Sequence, residues 1–212
     1  MTELASPANF AKAATHLQEH DPILGEVISR APLPQFIPHK KYYEELVGSI
    51  ISQQLSVKAA ATILKRFKDL FTTEFPTPED ILATDIEELR AVGLSRQKAS
   101  YIKDLALRVL EGSVQFDHLD TLSNQEVIDE LTKIKGVGVW TVHMFLLFCM
   151  GRLDVLPVGD LGIKNGIHKL YSLPEKPSPE DIQTVALNNH WYPYESVASW
   201  YIWHSLDNKP AL

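Results

Sequence analysis

The 212-residue chain carries a single cysteine, Cys149. One thiol cannot close an internal disulfide, hold a four-cysteine iron–sulfur cluster or complete a structural zinc site. It lies in the apolar run Met144-Phe-Leu-Leu-Phe-Cys-Met150, where a buried, inert thiol is expected. No apolar run reaches the ~18 residues of a membrane span, so no membrane partner is expected. Met1–Phe10 lacks the basic start and apolar core of a secretory signal, which points to an intracellular protein. Basic residues are also short: Lys and Arg total 20 against 27 Asp and Glu, for a formal charge of −7. That balance argues against non-specific adhesion to nucleic acid, so any such contact must come from a few placed groups. The histidines, among them His39, His118, His143, His168, His190 and His204, show no paired ligand spacing with cysteine or carboxylate. No transition-metal site is expected from them.

What the chain has is helical periodicity, with few strand signals. Two N-terminal helices precede a bend at Pro32, Pro34 and Pro38. Apolar spacing predicts a helix over Tyr42–Ile51 and another over Val57–Phe71, capped by Ser56. Thr77-Pro-Glu-Asp80 and Thr84-Asp-Ile-Glu-Glu88 read as helix starts, each a capping oxygen followed by early acids. Ser95–Leu110 and Ser123–Ile134 follow, the latter with Glu126 in the capping-box position. After Gly136 and Gly138 come an apolar helix to Met150, a loop to Gly159 and helices from Leu161, Ser178 and Pro193. The result is an all-α fold of roughly ten to twelve short helices.

Two segments carry chemistry. In Leu131-Thr-Lys-Ile-Lys-Gly136-Val-Gly138-Val-Trp-Thr141 a helix ends in a glycine turn and a new helix starts. Its unpaired N–H groups and positive dipole end suit a DNA phosphate. Gly136, Gly138, Val139 and Lys135 are the candidate contacts, with Lys164 a further phosphate partner. Backbone carbonyls of Thr132, Ile134 and Val137 could seat a monovalent cation, Na+ or K+; no other cofactor is implied. The plain alternative is a glycine-terminated helix meeting its neighbour. In Leu156-Pro-Val-Gly-Asp160-Leu-Gly-Ile-Lys164 the plain reading makes Asp160 the N-cap of the helix from Leu161.

Hairpin, apolar helix and Pro-Val-Gly-Asp160 together resemble the helix–hairpin–helix glycosylases with a Gly-Pro-Asp loop. The likeness is nearest to the DNA-3-methyladenine glycosylase (type II) branch. Ile51-Ser-Gln-Gln-Leu-Ser-Val-Lys-Ala-Ala60, Gly93-Leu-Ser-Arg-Gln-Lys-Ala99 and Trp191-Tyr-Pro-Tyr-Glu-Ser196 through Trp203 match its motifs in order, over about Tyr42–His204. Lys135 and Glu195 depart from it, standing where a proline and a basic residue are common.

The resemblance implies one domain, 1–212, of two lobes with a cleft between them. Lobe one would span about 42–150 with the hairpin at 131–141; lobe two would combine 1–41 and 151–212. It implies that Asp160 is the essential carboxylate, that Trp140, Trp203 and Tyr42 line a base pocket, and that Gln54, Gln53 or Leu55 fills the gap left by a flipped base. Trp203 has core packing as its alternative. Trp140 stands where bifunctional relatives place a lysine nucleophile, and tryptophan cannot form a Schiff base. The function implied is a monofunctional DNA glycosylase releasing alkylated purines (3-methyladenine, 7-methylguanine) from double-stranded DNA, with no obligate protein partner. Alternatives are a glycosylase of the same superfamily for other damaged or mismatched bases, a non-catalytic hairpin module, or a helical protein–protein scaffold.

Overall fold

The computed structural model describes residues 3–206; the outermost residues of the expected second lobe, 1–2 and 207–212, lie outside the described residues. Twelve α-helices form among them, with no strand beyond one isolated antiparallel bridge, Leu4 to Arg152. The chain divides into two compact units, one of Lys41–Val142 and one of Met1–Lys40 with His143–Leu212.

The Lys41–Val142 unit holds α3 (Tyr42–Ser52), α4 (Val57–Lys68), α5 (Pro78–Ala83), α6 (Ile86–Ala91), α7 (Arg96–Leu110) and α8 (Asn124–Leu131). Local chemistry sets nearly every start. Ser56 Oγ accepts from Ala59 N, Ser95 Oγ from Lys98 N, and Thr77 with Asp80 and Ser123 with Glu126 form capping boxes. One start lies a residue later than the sequence suggests: Asp85, not Thr84, caps α6, while Thr84 Oγ1 donates back to the Asp80 carbonyl at 2.8 Å. Two helices stop early. α4 ends at Lys68 and α8 at Leu131, each followed by single-turn bonds such as Phe71 N to Lys68 O and Ile134 N to Leu131 O. Leu46, Val47, Ile50 and Ile51 of α3 and Ala99, Ile102, Leu105 and Ala106 of α7 are buried in this unit.

The other unit holds α1 (Pro7–His20), α2 (Pro22–Arg30), α10 (Leu161–Leu170), α11 (Pro179–Asn188) and α12 (Glu195–Ser205). Between the units' sequences runs α9 (Val139–Met144), continued by a π-helical turn over Phe145–Cys149 where the sequence suggests a single α-helix to Met150. The division falls between Val142 and His143, not near residue 150, because Leu147 of that turn packs into the core of the second unit. Cys149 is buried, its thiol 3.6 Å from both His39 Nδ1 and the His39 carbonyl oxygen.

α12 is the central helix of this unit. Every residue from Ser196 to Trp203 is buried, so this stretch of the helix has no solvent stripe. A carboxylate sits in the same core. Asp21, fully buried, caps α2 through Oδ1, accepting from Ile23 N and Leu24 N. Its Oδ2 accepts from Trp191 Nε1 at 2.8 Å and from the Tyr171 hydroxyl. Four donors offset the cost of burying this charge, and burial together with the Asp21 contact raises the Tyr171 phenol well above its ordinary range.

Candidate functional site

In the Lys41–Val142 unit the glycine turn is built against α7. α8 stops at Leu131, Val137 N donates to Ile134 O at 3.1 Å, and Gly136 takes φ +81°. A Cβ on Gly136 would fall 2.0 Å from Tyr101 Cδ2, so this glycine is required twice, by its left-handed backbone and by the ring beneath it. Gly138 differs. No atom lies within 4 Å of its hypothetical Cβ, and its carbonyl accepts the first bond of α9 from Val142 N. Val139 and Trp140 follow, half-exposed at 50% and 49%.

Asp104 of α7 organises the turn from below. Its carboxylate accepts from Lys135 N (2.9 Å) and Arg108 Nε (2.8 Å), and Lys135 Nζ lies 3.3 Å away. Burial pushes this carboxyl up, but the Lys135 and Arg108 contacts outweigh it and hold it below the ordinary range. The Lys135 ammonium is therefore partly answered within the protein. The Ile134 carbonyl, one of the three (with Thr132 and Val137) that could hold a monovalent cation, already accepts from Val137 N and keeps a second lone pair.

The loop between α3 and α4 is tied to the same turn. Gln53 Nε2 donates to the Gly136 carbonyl at 2.8 Å. Lys98 Nζ donates to the carbonyls of Ile51 (2.8 Å) and Gln53 (2.6 Å), capping the end of α3. Burial lowers the Lys98 pKa from its ordinary value. Gln54, next to this clamp, is exposed and holds φ +58°, a left-handed conformation that a non-glycine residue rarely keeps without a reason. Leu55 is 39% exposed. Of the three candidate wedge residues, Gln53 is turned inward as a strut, and Gln54 and Leu55 are presented outward. Tyr42 is buried, its hydroxyl donating to Asp120 Oδ1 at 2.6 Å and its ring edge-on to Phe116.

The second unit holds the carboxylate. Asp160 N closes a turn onto Pro157 O at 2.9 Å, and the Asp160 carbonyl accepts from Lys164 N, opening α10. The side chain caps the same helix: Oδ1 accepts from Ile163 N at 2.8 Å. The same oxygen accepts from Trp203 Nε1, also at 2.8 Å. Asp160 is 9% exposed and Trp203 7%. The indole lies over Phe148, ring centroids 5.9 Å apart and 28° between planes. Gly162 admits it, since a Cβ there would come within 2.8 Å of Trp203 Cδ1 and 3.0 Å of Asp160 Oδ1. Lys164, half-buried, is one turn further along α10.

α12 also holds the approach to Asp160. Ser196, fully buried, receives Val155 N on its hydroxyl oxygen at 3.1 Å, donates that hydroxyl to Arg152 O at 2.7 Å, and gives its own N–H to Leu153 O at 2.9 Å. Beside it Glu195 has a carboxylate oxygen, Oε2, with no hydrogen-bond partner. Burial, with a smaller push from the Asp154 charge, raises the Glu195 carboxyl to about 7. Lys98, Asp104 and Ser196 were not legible as site-building residues. Each acts on backbone or side chains remote in sequence, and no local spacing announces that.

The sequence matches the family model described as "HhH-GPD superfamily base excision DNA repair protein" over residues 47–189. It is 40% identical over 166 residues to DNA-3-methyladenine glycosylase 1 of Schizosaccharomyces pombe, covering 77% of this chain and 72% of that protein. The fold resembles the structure of the S. pombe 3-methyladenine DNA glycosylase in complex with abasic DNA, with a TM-score of 0.80 and 37% identity over 92% of this chain and 97% of that one. It also resembles a DNA-3-methyladenine glycosidase from Bacillus halodurans, with a TM-score of 0.82 and 35% identity over 94% and 89% of the two chains.

Proposed function

Because the chain belongs to the HhH-GPD superfamily of base excision DNA repair proteins, we propose that it is a DNA glycosylase hydrolysing the N-glycosidic bond of alkylated purines, 3-methyladenine and 7-methylguanine, in double-stranded DNA. The observation that carries this reading is Asp160: a carboxylate almost fully removed from water, held by Ile163 N and Trp203 Nε1 at the start of a helix.

In this role Asp160 stabilises positive charge developing on the deoxyribose as the glycosidic bond breaks, and water adds at C1′, releasing one proton to solvent. Alkylation at N3 or N7 leaves the purine cationic, so the bonding electron pair departs with the base and neutralises it. No strong general acid is then needed. The target nucleotide must leave the stack to be attacked, and Gln54 and Leu55, both presented outward, are the residues to fill its place. Gly138, Val139 and the N–H groups opening α9 are the phosphate seat. The carbonyls of Thr132, Ile134 and Val137 would hold the cation, whose charge favours an anion nearby. Trp140 in the place of a nucleophilic lysine supports hydrolysis without a lyase step. A base excision repair role places its substrate, and so the protein, inside the cell; no helix among the described residues is long and apolar enough to cross a membrane.

Release of free 3-methyladenine and 7-methylguanine from methylated duplex tests the reading. Asn keeps the capping oxygen of Asp160 but not its charge. Asp160→Asn should therefore retain the fold and DNA affinity while base release falls to background. Release at the wild-type rate by that variant would remove the mechanism. A panel of oxidised and mismatched duplexes separates this substrate class from others of the superfamily.

A further inference from the structure

We propose that Trp203 is a positioning residue, whose indole N–H fixes the orientation of the Asp160 carboxylate, and not a wall on which the extruded base stacks. The inference rests on the reading of Asp160 given above and concerns how that carboxylate is held.

Three observations carry it. First, the indole is 7% exposed and lies over Phe148, so little of its surface is left for a ligand to cover. Second, its one hydrogen-bond donor is spent on Asp160 Oδ1 at 2.8 Å. Third, Gly162 is the residue that lets this happen. A side chain there would collide with Trp203 Cδ1 and Nε1, at 2.8 and 2.9 Å, and with Asp160 Oδ1, at 3.0 Å.

The capping bond from Ile163 N reaches the same oxygen. The indole N–H thus adds a donor from a second helix to the capping bond in holding that oxygen. An electrostatic catalyst gains from such fixation because the charge is already oriented when the sugar cation forms. α12 supplies the donor from its buried C-terminal half while its Ser196 end grips the loop at residues 152–155. One helix thus grips both the loop ahead of the carboxylate and the carboxylate itself.

The test is Trp203→Phe, which keeps an aromatic ring over Phe148 and deletes the N–H, measured with methylated duplex beside Asp160→Asn. A hydrogen bond to a charged group is worth about tenfold to a hundredfold in rate when lost. Trp203→Phe should lower kcat by about that factor with KM within about threefold. The acid limb of its kcat–pH profile should move to higher pH, because removing a donor disfavours the ionised carboxylate. Trp203→His, which restores an N–H on a smaller ring, should recover part of the rate.

Wild-type kcat and an unmoved acid limb in Trp203→Phe would overturn the proposal. So would a rise in KM with kcat retained, the mark of a stacking wall. If Trp203→Phe does not melt cooperatively, Gly162→Ala displaces the indole from the opposite side, at a helical position where alanine is favoured by about 1 kcal/mol. It should show the same kcat loss and acid-limb shift, and wild-type values for both would equally overturn the proposal. An active Asp160→Asn would sink the parent reading; an inactive Asp160→Asn with a wild-type-like Trp203→Phe would sink this one alone.

Discussion

Replacing Gly136 with alanine should destabilise the Lys41–Val142 unit by about 2–5 kcal/mol, and the figure can be built from two independent parts. The backbone holds φ +81°, and moving an L-residue into the left-handed region costs about 1–2 kcal/mol. The added methyl would sit 2.0 Å from Tyr101 Cδ2, 2.3 Å from Cε2 and 2.6 Å from Cγ, against about 3.5–4.0 Å for relaxed carbon contact. The ring cannot yield cheaply, since its hydroxyl accepts from Gln97 and it stands on α7. Overpacking of this kind adds about 1–3 kcal/mol. At roughly 2–4 °C per kcal/mol for a chain of this size, Tm should drop by roughly 4–20 °C. Differential scanning calorimetry measures the drop, and Tyr101→Ala supplies the control. In that background the steric part vanishes and Gly136→Ala should cost only the backbone part, about 1–2 kcal/mol. Gly138→Ala, with open space around the new methyl, should cost less than about 1 kcal/mol, the difference between glycine and alanine as caps. It should nevertheless weaken binding to an abasic duplex if the DNA backbone approaches there. Gly136→Ala melting with the wild type, or an equal cost in the Tyr101→Ala background, would refute the reasoning.

Two further outcomes follow from strained or poorly solvated groups. Gln54→Gly relieves a left-handed non-glycine residue but adds chain entropy, about 1–2 against 0.5–1 kcal/mol. Stability by urea titration should stay within about 1 kcal/mol of wild type while base release falls about tenfold; unchanged release would remove Gln54 as the wedge. Glu195 titrates near 7 in the folded chain against 4.5 when exposed. Its contribution is fully present below about pH 4.5 and is lost as pH rises through 7, because the unfolded chain ionises first. At about 1.4 kcal/mol per pH unit the loss is about 3 kcal/mol, reduced to on the order of 1–2 by its remaining exposure. Glu195→Gln should therefore be more stable than wild type at pH 8 and equal to it at pH 4. Equal stability at both values would show that this carboxyl is better solvated than its surroundings indicate.

The sequence by itself determined what is local. Ser56, Ser95, Ser123 with Glu126, and Asp160 cap the helices read from them, since an N-cap needs only a side-chain oxygen and an N–H two or three residues on. The glycine turn and the order of motifs were visible for the same reason, and they carried the family. Helix ends were less visible: α4 and α8 stop short of their apolar pattern, and the run to Met150 breaks into a π turn, because tertiary packing decides where a period stops.

Only the tertiary structure decided which groups meet across the chain. Trp203 reaches Asp160 from 43 residues away, Lys135 meets Asp104 from 31, and Lys98 reaches Gln53 from 45. Tyr101 lies under Gly136, and Tyr42 gives its hydroxyl to Asp120. None of these pairs has a spacing signature. A side chain's partner at that range is set by which helices share a core, and the core is chosen by the chain as a whole.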